Sequence, residues 1–364
     1  MTEQDVLQYR LMSQHLSSNH FDSAAQAVAC MGAVQAQDFS GAKWALAQRS
    51  RNLTNSAIDD AYNKGEILRT HILRPTWHFV TPQDIRWMLA LTAPRVNVAT
   101  SYYYREFNLD DVFFEKSNAV IAMAVRNGNY KTRKELNAIL EEHGMGGSPQ
   151  RLGLIIMRAE LDAIICSGPM RGKQFTYALL DERAPHLPSL STDEACAHLA
   201  ERYFKSHGPA TLKDFVWWSG LTTKDARRGI EAADYLTGEV VRDKTYWFDA
   251  TLMKTSSMID DMFLLQNYDE YIVSYNDRSI LFDPRHIALL GPRTNPLFYN
   301  CMIFHGKIVG TWRQTIKARE VIVSWQLFNS SSTQIQAAHS AFKNYEAFIE
   351  MPVRYSELEY QTDK

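Results

Sequence analysis

EKSNAVIAMAVRNG (115–128), TRKELNAILEEHG (132–144), PQRLGLIIMRAELDAII (149–165) and CSGPMRGKQFTYALL (166–180) follow one another in the middle of the chain. The first has helical periodicity. The second opens on Thr132 with Glu135 three residues later, a capping box, and closes at Gly144. Ser148-Pro149 start the third, since a proline at the first helical position gives up an amide that has no partner there anyway. The fourth reads as a short hairpin around a Gly-Pro-x-Arg-Gly turn. Helix, helix-turn-helix and hairpin in that order is the layout of a winged helix.

The same layout recurs in STDEACAHLAERYFKSHG (191–208), ATLKDFVWWSGL (210–221), TTKDARRGIEAADYL (222–236) and the strand-like VVRDKTYWF (240–248). Ser191 with Glu194 and Thr211 with Asp214 mark two helix starts, and Gly220 marks a helix end. The N-terminal part fits a third copy more loosely. Helical VLQYRLMSQHL (6–16), SAAQAVACMGAV (23–34) and SGAKWALAQRS (40–50) precede the hairpin candidate ILRTHILRPTWHFV (67–80), centred on Arg74-Pro75. From about residue 258 the texture turns to short β-branched and aromatic runs, with His305-Gly306-Lys307 as a hairpin turn and a helix over 334–350. The expectation is an α+β protein, three tandem winged-helix units followed by a β-rich, barrel-like C-terminal domain. Its boundaries fall at 1–110, 111–188, 189–257 and 258–364. The competing reading is an all-α protein with incidental hairpins.

Composition bounds the function. The 364 residues are 45% hydrophobic and 22% charged, which is ordinary for a globular chain. Cys30, Cys166, Cys196 and Cys301 are scattered and suggest neither a disulfide scaffold nor a zinc knot. His71 and His78 share one hairpin, but two ligands seven residues apart do not make a metal site. No Walker A, His-Glu-x-x-His, Gly-x-Ser-x-Gly or EF-hand pattern is present, so no cofactor or metal is expected. The polar start MTEQDVLQYRLMSQHL and the lack of a long apolar run lead us to expect a cytoplasmic location without membrane contact. A net charge of -2 argues at first against nucleic acid, yet 276–319 alone carries +5, seven cations against Asp277 and Asp283. Arg278, Arg285, Arg293, Lys307, Arg313, Lys317 and Arg319 supply it.

The most informative short segment is MGAVQAQDFSGAKWALAQR (31–49). On a helix Gln35 and Gln37 would point to nearly opposite faces; in an extended turn they would share one. Asp38 and Ser40 are good cap residues, so a break between helices is expected there. Two co-facing glutamines can hold a water molecule, but neither is an acid or base near neutral pH. Asp38 either caps the following helix or adds negative charge beside the pair.

Together AVQAQDFSGAKWAL (33–46), RTHILRPTWHFVTPQDIRWML (69–89), NYDEYIVSYNDRS (267–279) and GKIVGTWR (306–313) resemble the bacterial AlkZ-type winged-helix DNA glycosylases, also described as interstrand-crosslink glycosylases. The resemblance implies three winged helices and a barrel-like domain arranged as a clamp on DNA. It also implies a catalytic Gln, aliphatic residue, Gln signature that falls on Gln35, Ala36 and Gln37. The substrate implied is double-stranded DNA with cationic alkylated purines, worked on by a monomer. Arg69, Arg74 and His78 on the hairpin, with Arg278, Arg313 and Lys317 from the C-terminal part, are the expected DNA contacts. Trp77 is read as a core residue or a wedge, and Asp269 and Tyr271 as structural. A non-catalytic DNA-binding regulator and a protein-interaction scaffold are the alternatives.

Overall fold

The computed structural model describes residues 1–18, 21–252, 258–290 and 295–357. The N-terminal part holds α1 (Glu3–Ser13), α2 (Ala24–Met31), β1 (Val34–Gln35), α3 (Phe39–Gln48), α4 (Asn55–Lys64) and the hairpin β2 (Leu68–His71) and β3 (Trp77–Val80). α5 (Ile85–Glu106) then crosses to α6 (Asp111–Val125), β4 (Lys131–Thr132), α7 (Arg133–Glu142), α8 (Pro149–Leu161) and the hairpin β5 (Ile165–Ser167) and β6 (Thr176–Leu179). Next come α9 (Leu180–Arg183), α10 (Thr192–His207), α11 (Leu212–Ser219), α12 (Thr223–Glu231) and the hairpin β7 (Leu236–Val241) and β8 (Lys244–Asp249). The chain closes with β9 (Met262–Leu265), α13 (Glu270–Val273), β10 (Asn300–Phe304), β11 (Lys307–Ile316), β12 (Val321–Leu327), α14 (Ser332–Ile349) and β13 (Val353–Glu357).

Local chemistry fixes many of these limits. Thr132 with Glu135, Ser191 with Glu194 and Thr211 with Asp214 each form a reciprocal capping box, and Pro149 follows its N-cap Ser148. His305 and Gly306 both take positive φ, which turns β10 back into β11.

The C-terminal strands do not close into the expected barrel. They form an open five-stranded sheet in the order β13-β12-β11-β10-β9, antiparallel except for β13, which runs parallel to β12. Alternation along β9 sends Met262 and Leu264 into a core shared with α14 and with α2, α3 and α4. Phe263 and Leu265 point the other way and pack with Leu7 and Leu11 of α1. β9 is thus covered on both faces, whereas β11 and β12 bury alternate residues on one face and leave the other partly exposed. A separate core runs from the β2–β3 hairpin through α5, α8, α10 and α11. None of the described helices is long and apolar enough to cross a membrane.

Candidate active site

The segment between α2 and α3 is extended. β1 runs antiparallel to β3, with Val34 opposite Phe79 and Gln35 opposite His78, and the Ala36 amide donates to the Trp77 carbonyl at 2.7 Å. Asp38 then caps α3 by accepting the Gly41 amide at 3.0 Å, so its cap role is the one observed. Gln35 ends β1 opposite His78, and Gln37 follows in the bend that leads into α3. Gln35 is buried and Gln37 is exposed, so the pair leads from the interior to the surface. The Ala36 side chain is fully buried.

Arg74, in the β2–β3 turn, clamps the Gln35 side chain. Its Nη2 donates to Gln35 Oε1 at 3.0 Å, while Nη1 donates to the carbonyls of Trp217 at 3.2 Å and Trp218 at 2.7 Å. Those carbonyls belong to the last turn of α11, where backbone acceptors lack helical partners. The backbone amide of Gln35 donates to Glu270 Oε1 at 2.6 Å. The other oxygen of Glu270 accepts the Trp218 indole N–H at 3.1 Å and the Ser274 hydroxyl, with His207 Nε2 at 3.4 Å. Burial pushes this carboxyl up, but the neighbouring His207 and Ser274 reverse the effect and hold it at about 2. His78 is fully enclosed. Its Nδ1–H donates to the Thr76 carbonyl at 2.9 Å, which leaves Nε2 facing Arg74 Nη2 at 3.4 Å. Burial, and then the charge of Arg74, push the imidazole down to about 3, so it stays neutral.

Gln37 Oε1 accepts the Trp77 amide at 3.4 Å, and the side chain faces a cleft of about 880 Å3. Arg69 borders the same cleft and donates from Nε to the Ala36 carbonyl at 3.0 Å. Its guanidinium lies between the rings of Trp77, 4.3 Å from the centroid, and Phe175, at 4.7 Å. Both polar backbone groups of Ala36 are therefore held, one by Trp77 and one by Arg69. The unit is rigid at its middle residue and offers one amide inside and one outside.

The sequence model of the family described as DNA glycosylase AlkZ-like matches residues 28–348. The chain belongs to that family. Among curated proteins it is similar to the interstrand DNA cross-link repair glycosylase of Streptomyces sahachiroi, 22% identical over 334 residues, 88% of this chain and 89% of the relative. Among solved structures it is similar to the Streptomyces sahachiroi DNA glycosylase AlkZ, with a TM-score of 0.79 and 20% identity, covering 98% of this chain and all of that one. At that identity the likeness establishes a shared fold.

Within this AlkZ-like fold the expected DNA contacts divide. Arg69 borders the cleft but is largely buried between Trp77 and Phe175, and His78 is fully enclosed. Arg74 is half-buried, with its donors committed to carbonyl oxygens. Arg278 donates to the Ile272 carbonyl at 2.8 Å beside the Trp217 ring, and burial pulls it down to about 10. Arg313 and Lys317 stand exposed on β11 and at its end, Lys317 beside Glu320 at 3.5 Å. Arg293 lies outside the described residues.

Trp77 is half-buried, with its ring against Arg69 and His71. Asp269 holds Arg49 through two hydrogen bonds, at 2.8 and 3.0 Å, and the buried Tyr271 hydroxyl donates to the Gly306 carbonyl at 3.0 Å. Both are structural, as expected. Glu270 was missed. Its only signal was an acid that follows Asp269 and leads directly into the apolar Tyr271-Ile272-Val273.

Proposed function

We propose that this member of the family is a monofunctional DNA glycosylase. On this reading it hydrolyses the N-glycosidic bond of cationic N-alkylated purines in duplex DNA, with water positioned by Gln35 and Gln37. The observation that carries the proposal is the pair itself: two amides two residues apart beside a pinned strand, Gln35 clamped inside by Arg74 and Gln37 open to a cleft.

A purine alkylated at ring nitrogen seven is positively charged and leaves without protonation by the enzyme. The bond breaks towards an oxocarbenium-like sugar, and the base departs with the bonding electron pair. What remains for the protein is to place water at the anomeric carbon and to set partial negative charge near the developing cation. Amide oxygens suit both tasks. Gln35, its Oε1 fixed by Arg74, sets the inner limit of the site; Gln37 offers its amide to the water. No lysine or proline nucleophile is implicated, so no lyase step follows. Working on a base left in the stack, or paying a few kcal/mol to extrude it, are both open to such a site.

The helices and hairpins are read as three winged-helix units over 1–110, 111–188 and 189–257, with 258–364 as the C-terminal unit. The active form is read as a cytoplasmic monomer whose Arg313 and Lys317 meet phosphates. Incubation with duplex DNA carrying 7-methylguanine tests the reading. Abasic sites form with the wild type and not with Gln35→Ala or Gln37→Ala, both of which still bind DNA. Binding with a steep salt dependence and no release would instead support a regulator; no binding at low salt would leave a scaffold.

A further inference from the structure

Gln35 sits between two opposite charges. Its side-chain oxygen accepts a hydrogen bond from Arg74 at 3.0 Å, and its backbone amide donates one to Glu270 at 2.6 Å. Glu270 is fully buried on α13 and gathers groups from three other elements: Gln35 of β1, the Trp218 indole of α11 and His207 of α10, besides Ser274 just past its own helix. Its neighbour Asp269 is occupied with Arg49 and does not join this cluster.

We propose that Glu270 is a positioning residue for the glycosylase reaction, fixing the Gln35 amide through the backbone of the Gln-x-Gln segment. The inference rests on the reading of Gln35 and Gln37 as the water-holding pair. A buried carboxylate is costly to desolvate, and a neutral acceptor would ordinarily be preferred for a purely architectural contact. Here no neutral isostere serves. Donors approach both oxygens, the Gln35 amide on Oε1 and the Trp218 indole and Ser274 hydroxyl on Oε2. A glutamine amide has one acceptor oxygen, so whichever way it turns its NH2 group meets a donor. The clash would shift β1 and with it the point from which Gln35 reaches the sugar. Displacements on the order of 1 Å at a reacting centre cost about 100-fold in rate.

The test uses Glu270→Gln in the full chain, with two readouts. The first is single-turnover release of 7-methylguanine from duplex DNA, measured for wild type, Gln35→Ala, Glu270→Gln and the double variant. Glu270→Gln is expected to slow release by about 100-fold with unchanged DNA affinity. The double variant should be no slower than Gln35→Ala, because Glu270 acts through Gln35. Losses that multiply mark a merely structural role and overturn the proposal. The second readout is the Gln35 backbone amide proton by NMR. A hydrogen bond to a carboxylate places it far downfield in the wild type, and Glu270→Gln returns it upfield; an unmoved resonance overturns the proposal. If the wild type releases no base, the functional reading fails, and the amide resonance alone decides whether Glu270 holds Gln35. If Glu270→Gln does not fold, Trp218→Phe removes one donor from the same carboxylate. It should slow release about tenfold and shift the same resonance, and no change in either refutes the role.

Discussion

Acidification should weaken the protein through His78 before any carboxylate titrates. The ring is fully buried, its Nδ1–H is committed to the Thr76 carbonyl and its Nε2 faces Arg74 at 3.4 Å. Protonation would put a second positive charge against the guanidinium, and the folded-state pKa is pushed down to about 3. In the unfolded chain the same ring titrates near 6.5. Above pH 6.5 neither state carries the proton, and the group leaves stability unchanged. Below it the unfolded chain takes up a proton that the folded chain refuses, so stability falls with pH, by about 1.4 kcal/mol per unit. Between pH 6.5 and 4.5 this single ring removes roughly 2 kcal/mol. Urea unfolding at pH 7, 6, 5 and 4.5, followed by tryptophan fluorescence and far-UV circular dichroism, measures it against His78→Gln. His207 and His198 are also pushed down by burial, but they contribute equally to both proteins and cancel in the difference. The wild type should lose its advantage over the variant progressively across this range. Two parallel pH profiles would refute the assignment of a buried, neutral His78.

Gly220 has φ +70, and a Cβ there would lie 2.2 Å from the Leu73 carbonyl oxygen, so Gly220→Ala should destabilise by roughly 1–3 kcal/mol in a denaturant titration. Asp269→Asn strips the buried Arg49 of its bidentate carboxylate and should cost about 3–5 kcal/mol by the same measurement. Arg313→Ala and Lys317→Ala should leave stability within about 0.5 kcal/mol, because both side chains are exposed. Each should weaken DNA binding for all sequences alike and reduce the slope of log affinity against log salt by about 0.9, read by fluorescence anisotropy.

What the sequence revealed was chiefly local. Capping boxes at Thr132, Ser191 and Thr211, the His305-Gly306 turn and the cap at Asp38 depend on residues three or fewer apart, and all are present. The break between α2 and α3 that carries Gln35 and Gln37 was legible for the same reason. Long-range pairing was not. β13 returns across α14 to lie parallel to β12, a crossover that strand periodicity cannot disclose, and the sheet is therefore open where a barrel was expected. α4 was passed over although Thr54 caps its start and a left-handed Gly65 ends it, whereas α5 starts without a side-chain cap and contains Pro94. Charge counting along the chain also misjudged direction. Arg278 turns inward to backbone carbonyls and Arg285 pairs with Asp283, so the outward basic face within 276–319 is smaller than its net charge implied. Arg69 and His78, read along the chain as DNA contacts, lie against the segment that carries the glutamines, a placement that the one-dimensional pattern does not disclose.

Gln37 is the most direct point at which to test the account, because its side chain is exposed and its removal takes no packing from the core. The decisive measurement is single-turnover release of 7-methylguanine from duplex DNA by Gln37→Ala, taken with its melting temperature and DNA affinity. The account predicts an unchanged melting temperature, an unchanged affinity and a release rate lower by about 100-fold or more. Release at the wild-type rate would contradict it.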